Sequence, residues 1–321
     1  MKEGKWGCAA YCLNGIGQGR IRLGQYDSAR FALNGARDLE TSHGGVDSLV
    51  QSETLARLAY TLASQERELD SAADFGLRSV KMRESLGGAS GQPLAASCYT
   101  LAYVYRKKGQ FTAALPLLER SYQIQSGVSP ASPGFLCSIL LALGDVYDHL
   151  EDYERSERSH GKAIDILEQS GLGASQTAAS CHEFLSICCW HLGELRRAWA
   201  EGEKALELCR RTAGEKSPLA VSCYGELGGI AADEGDLDRA EQLCRQSLAI
   251  LSEINGERTT GVAVLLRDLA LIERRRGSLA EAKQLSLRAL NHAVGILGRD
   301  HPDLAGYHEE IGLTLEALGE R

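Results

Sequence analysis

Five residues in one short stretch could carry metal chemistry: Cys181, His182, Cys188, Cys189 and His191. Thiolates and imidazoles are ligands that zinc prefers, and a zinc site needs about four of them converging tetrahedrally. On a helix, Cys181 and Cys188 are seven apart and share one face, while His182 and Cys189 share the next. One straight helix aims only two or three of the five in one direction. Cys189 also falls in register with Tyr105 and Tyr147, and Cys12, Cys181 and Cys223 fall in a second register. Both registers read as packing columns filled by small apolar side chains. No metal or cofactor is expected, and an enzymatic reading rests on this cluster alone.

Other chemistry is weaker still. The sequence has no Gly-x-Ser-x-Gly elbow and no phosphate loop, and Gly15-x-Gly17-x-Gly19 lacks the preceding strand that a nucleotide fingerprint requires. The carboxylate pairs Glu309-Glu310 and Asp300/Asp303 read as solvated or helix-starting charges. No catalytic residue is assigned, and the chain is expected not to be an enzyme.

A recurring phrase specifies the elements that must position all of these residues. It reads Gly24-Gln25-Tyr26-Asp27-Ser28-Ala29 and Gly109-Gln110-Phe111-Thr112-Ala113-Ala114, then returns at Gly193, Gly235 and Gly277, with weaker copies at 67–72 and 151–156. Its last member stands at 29, 72, 114, 156, 198, 240 and 282, an interval of 43 once and 42 five times. Such a period marks a solenoid of one supersecondary unit, each copy unable to bury its apolar face alone.

One unit shows what the copies are. Pro93 opens a stripe at Leu94, Cys98, Leu101, Ala102 and Tyr105, and Lys107-Lys108-Gly109 closes it. A second stripe runs through Phe111, Ala114, Leu115, Leu118 and Tyr122, so the unit is a helical hairpin. Elsewhere Ser217-Pro218 starts a first helix, and Ser278 with Glu281 predicts a capping box. Joints fall at Gly87-Gly88, Ser129-Pro130, Gly171, Gly214, Gly256 and Gly298. The reading is one array over 1–321, with repeats near 6–48, 49–90, 91–132, 133–174, 175–216, 217–258 and 259–300 and a half repeat at 301–321. Seven hairpins and a final helix make fifteen helices.

Small residues recur where paired helices must cross: Gly17, Tyr60, Ala102, Gly144, Ser186, Gly228, Ala270 and Gly312 in first helices, with one exception at Tyr60. Ala36, Ser79, Ser121, Ala163, Ala205, Ser247 and Ala289 follow in second helices. These columns, with the Gly-x-aromatic turn, resemble the tetratricopeptide repeat, and the 42-residue interval with the joint at 297–305 resembles its kinesin-light-chain subclass. The resemblance implies an all-α, right-handed superhelical solenoid of antiparallel helix pairs whose first helices line a concave groove. In that subclass a column of asparagines holds the bound peptide. Here that column is Gly15, Leu58, Thr100, Ala142, Phe184, Glu226, Asp268 and Glu310.

The outward columns of the first helices supply the expected binding surface. The third unit offers Tyr99, Tyr103, Arg106 and Lys107, the fourth Asp145, Asp148 and His149, the fifth Trp190 and the seventh Arg267 and Arg274. Tyr, Trp and Arg dominate binding hot spots, although Arg106 and Lys107 could instead pair with Asp145 or Asp148. The expected function is a protein-interaction scaffold taking a peptide or helix of a partner, with a regulatory sensor as the alternative. Lys and Arg total 35 against 43 Asp and Glu, which disfavours nucleic acid or an anionic membrane as partner. No targeting segment opens the chain, no run reaches membrane-spanning length, and ten cysteines without a CxxC pair fit a reducing cytoplasm.

Overall fold

The computed structural model describes residues 3–43, 49–86, 91–128, 132–256, 259–299 and 301–319. Fifteen α-helices follow one another, the number that the repeat predicts, and no strand occurs among the described residues. They are α1 (Glu3–Arg22), α2 (Tyr26–His43), α3 (Leu49–Ser64), α4 (Leu69–Ser85), α5 (Gln92–Lys107), α6 (Phe111–Ser126), α7 (Pro133–His149) and α8 (Tyr153–Gln169). Next come α9 (Gln176–His191), α10 (Leu195–Thr212), α11 (Pro218–Glu234), α12 (Leu237–Asn255), α13 (Thr260–Arg276), α14 (Leu279–Leu297) and, after a 3-10 turn at Pro302–Leu304, α15 (Ala305–Leu318). The joints at Gly87-Gly88 and Ser129-Pro130, and Asp300, lie outside the described residues. The chain divides into two compact units, Met1–Ser159 and His160–Arg321.

Local chemistry starts five of these helices, α5, α7, α9, α11 and α12, with a proline or a side-chain cap. Pro93, Pro133 and Pro218 sit in first turns, where a missing N–H leaves no bond unmade. Ser175 and Ser217 accept from the N–H groups of Ala178 and Ala220 at 3.2 and 3.3 Å, and Asp236 accepts from Arg239 at 3.1 Å. Ser278 makes no such bond, so the predicted capping box is absent. Its ψ is 58°, against 155° at Ser217, which turns the short hydroxyl away; the longer Asp236 side chain reaches from a similar backbone, with ψ 75°.

The turn inside each hairpin explains both the phrase and its one irregular interval. Gly24, Gly109, Gly193, Gly235 and Gly277 all have positive φ, from 68° to 88°. Glu66 and Glu151 occupy the same place in the two weaker copies, with φ of 52° and 58°. The α3–α4 turn also holds one extra residue, Glu68, itself left-handed at φ 48°, and this insertion is the source of the 43-residue spacing.

The crossing columns are where the core closes. A Cβ on Gly17 would stand 2.6 Å from Leu33, and one on Gly228 would stand 2.6 Å from Cys244 Sγ, so only glycine lets these helices approach. Ala36, Ser79, Ser121, Ala163, Ala205, Ser247 and Ala289 are all fully buried. The serines also bond across: Ser79 Oγ donates to the carbonyl of Ser52, Ser121 to Ala95 and Ser247 to Val221, at 2.7 to 2.8 Å. Within each unit the backbones of consecutive odd-numbered helices approach closely, whereas even-numbered helices meet through long side chains, as Arg120 of α6 with Glu84 of α4 and Arg239 of α12 over the Trp199 ring of α10. The first helices therefore form the inner layer of each unit.

Candidate functional site

In the first unit the expected binding residues Tyr99, Tyr103, Arg106 and Lys107 are already engaged within the chain, Arg106 with Asp145 and the others with residues outside the expected set. Tyr103 stacks on Tyr60 with ring centroids 5.1 Å apart, and its hydroxyl lies 3.5 Å from Ser64 Oγ. Tyr99 meets Phe135 edge-on at 5.5 Å, and burial raises its phenol pKa. Arg106 Nε donates to Asp145 Oδ2 at 2.7 Å. Lys107 turns the other way, to Glu66 in the α3–α4 turn at 2.8 Å. Asp145 thus serves Arg106 alone of the two cations, with His149 Nε2 4.0 Å from its other oxygen; Asp148 is half-buried nearby on α7. A cavity of about 620 Å³ opens between α1, α3 and α5, with Arg57 at its wall held by Glu53 and Asn14.

The second unit carries its own set of inner-layer contacts. Trp190 of α9 donates its indole N–H to Asp233 of α11 at 2.8 Å, and Arg275 of α13 reaches the other oxygen of Asp233, also at 2.8 Å. Arg274 makes a two-pronged pair with Glu310 of α15, at 2.8 and 3.1 Å. Glu310 is 4% exposed, so it is a buried structural anion and not the solvated charge expected from the sequence. Arg267 lies 3.2 Å from the Asp268 carboxylate and 5.6 Å from the Tyr307 ring centroid.

Between α11 and α13 opens a cavity of about 640 Å³, walled by Val221, Gly225, Gly229, Val264 and Leu265 and edged by Trp190. Glu226, Asp233 and Asp268 are its acidic lining. Burial, reinforced by neighbouring Glu183, pushes the Glu226 carboxyl well above its ordinary pKa. Burial also raises Asp268 and Glu183, against the pull of Arg267 on the former and a Ser222 hydrogen bond to the latter. Glu226 and Asp268 are not among the binding residues that the sequence predicts, because they stand in the column where the family resemblance places asparagine. The signal that could have found them is three acids, at 226, 268 and 310, in one column of consecutive repeats.

Four of the five Cys/His cluster residues are part of the core, and His191 is exposed at the end of α9. Cys181, Cys188 and Cys189 are fully buried. His182 is 3% exposed and its Nδ1 lies 2.6 Å from Glu201 Oε2, a hydrogen bond that holds Glu201 below its ordinary pKa. Among the described residues no three His, Cys, Asp or Glu side chains are placed to hold a metal ion. Cys12 departs from the expected packing column: it is exposed. No described helix is long and apolar enough to cross a membrane.

This geometry recurs in known proteins. Family models of the tetratricopeptide repeat match residues 92–169 and 176–253, and 262–303, together more than half of the chain. Protein KINESIN LIGHT CHAIN-RELATED 2 of Arabidopsis thaliana is 31% identical over 121 residues; the match covers 36% of this chain and spans only 18% of that relative. Among solved structures, BtubC (BKLC) from P. vanneervenii superposes with a TM-score of 0.61 at 23% identity, covering 73% of this chain and 94% of that one. A STAND protein with a tetratricopeptide repeat sensor, from Pyrococcus horikoshii, gives 0.67 at 17% identity, covering 89% and 43%. The chain belongs to the tetratricopeptide repeat family and is similar to its kinesin-light-chain type.

Proposed function

We propose that this protein is a non-enzymatic interaction scaffold that binds a peptide segment or helix of another protein on its first-helix face, in the cytoplasm. The observation that carries this reading is the 640 Å³ cavity, built from consecutive inner-layer helices and left open while the cations around it are matched by neighbouring acids. Concave, largely apolar sites of about 300–1,000 Å³ with a few polar groups are where ligands bind. Trp190, Arg267 and Arg274 lie on the second unit's first helices; Tyr99, Tyr103, Arg106 and Lys107, with Asp145 and Asp148, lie on those of the first unit.

Two half-exposed aliphatic residues on opposite layers provide the test. Val264 lines the cavity on α13 and is 37% exposed; Leu287 lies on α14 and is 42% exposed. A photo-reactive amino acid at position 264, incubated with lysate of the native cell, should cross-link a discrete partner that position 287 does not reach. Cross-links from position 287 alone would place the interface on the second helices and overturn the proposal.

A further inference from the structure

The charge inventory of the second unit's cavity does not balance. Its lining holds three carboxyls, Glu226, Asp233 and Asp268, and two guanidiniums, Arg267 and Arg275. Arg275 serves Asp233 at 2.8 Å, and Arg267 serves Asp268 at 3.2 Å. Glu226 has no cation. Its Oε1 accepts the Ser222 hydroxyl at 3.0 Å, and its Oε2 is shut off from bulk solvent with no hydrogen-bond partner. Glu183 of α9 stands close enough to disfavour its ionisation further. A buried carboxyl oxygen without a donor is a costly arrangement, and a donor brought by a ligand would complete it.

The space around Glu226 has a matching shape. Gly225 contributes no side chain to the cavity, the Trp190 ring covers Gly229, and Val221, Val264 and Leu265 make its walls. An aliphatic stem fits such walls, and the unpaired acid calls for a positive end. A carboxylate or phosphate would meet Glu226, Asp268 and Glu183 together, so an anionic ligand is disfavoured.

We propose that this cavity seats a cationic side chain of the partner, a lysine or arginine, with its stem along Val221, Val264 and Leu265 and its charge against Glu226. The inference rests on the groove reading and names the chemistry of the segment that the groove takes. Arriving positive charge favours the ionised form of Glu226, so binding releases a proton to the extent that the free carboxyl holds one. The titratable groups facing Glu226 are Glu183 from α9, Asp268 with Arg267 from α13, and Cys244 from α12, whose thiol burial holds at about 12 and therefore neutral. Asp233 and Arg275 satisfy each other at the edge.

Acetylated, amidated pentapeptides Ala-Leu-Xaa-Leu-Ala test the seat, with Xaa as lysine, arginine, norleucine or glutamate. Titration calorimetry of the full chain should show the lysine and arginine peptides binding about tenfold or more tighter than norleucine, and glutamate weakest. Heats measured in phosphate and in Tris should differ by a released proton, and Glu226→Gln should abolish both the proton release and the preference for a cation. Norleucine binding as well as lysine would overturn the cation seat while leaving the groove in place. So would failure of all four peptides to bind, because the groove itself is judged separately by cross-linking at position 264. Retention of the lysine preference in Glu226→Gln, with an unchanged far-ultraviolet dichroism spectrum, would also overturn it.

Discussion

Trp190 lies across Gly229 of the next first helix, where a Cβ would collide with the indole ring. The indole N–H bonds Asp233 one turn further on, so one side chain is fixed by a missing methyl and by a carboxylate on the same neighbouring helix. This contact sets the edge of the second unit's cavity. Gly229→Ala should displace the ring, destabilise the protein by about 1–3 kcal/mol through overpacking, and shift tryptophan fluorescence to the red. Denaturant melts of the two proteins check this; equal midpoints would mean that the ring swings aside freely.

Arg106 and Asp145 form a half-buried pair, with side chains 22% and 30% exposed. Arg106→Glu would set two carboxylates against each other and should lower stability by about 1–2 kcal/mol. The double variant Arg106→Glu/Asp145→Arg should recover most of that loss. Melting curves of the four proteins in the cycle measure it, and additive losses would show that the pair contributes nothing. Any loss of partner binding in Arg106 variants has to be read beside this structural effect.

Architecture was far more legible in the sequence than the site, for a physical reason. The repeat constrains every copy by the same packing, so Gly17, Gly228 and the fully buried column from Ala36 to Ala289 announce themselves by periodicity. Side-chain pairing on the inner layer has no such period. Lys107 goes back to Glu66 while Arg106 goes forward to Asp145, and only the local rotamers and the left-handed Glu66 turn decide which. The capping box at Ser278 failed because a backbone dihedral, not residue type, aims the hydroxyl. The acids at 226 and 268 stand in the column where the family resemblance places asparagine.

Thiol reactivity should divide the ten cysteines unevenly. Cys8 and Cys12 are exposed on α1, and the other eight are buried. Burial also raises the pKa of Cys98 and Cys137, and that of Cys244 to about 12, so their reactive thiolate is scarce at neutral pH. A chromogenic disulfide reagent at pH 7 should titrate two thiols quickly and the remaining eight only after denaturation. Fast modification of Cys181 or Cys189, located by mass spectrometry, would contradict their placement in the core.

Glu151 holds a backbone conformation that five other hairpins give to glycine, with φ 58°. A side chain in the left-handed region costs about 1–2 kcal/mol, and glycine gives back part of that gain through the greater freedom of its unfolded chain. Glu151→Gly should therefore stabilise the protein by about 0.5–1 kcal/mol. The same change at Glu66 removes its bond to Lys107 and should gain less. Chemical denaturation of both variants checks the order; a destabilised Glu151→Gly would mean that its side chain holds the turn.

Glu226 makes a pH prediction whose sign is opposite to that of most folded-state carboxylates. Its folded pKa is raised by burial and by Glu183, so the native state holds the proton more tightly than the unfolded chain, where a glutamate titrates near about 4.3. Between that value and the raised one the folded form binds more protons, and stability falls as pH rises. Other acids act the other way: Glu201, Asp152 and Glu241 have lowered pKa values through hydrogen bonds to His182, Arg155 and Arg276, and contribute stability that is lost on acidification. The total curve therefore mixes both signs, and the difference between wild type and Glu226→Gln isolates one. That difference should be small at pH 4, where both proteins carry a neutral group at position 226, and should grow in favour of the variant toward pH 8. Urea melts across this range measure it. A pH-independent difference would show that Glu226 titrates normally, with its carboxylate already satisfied in the free protein.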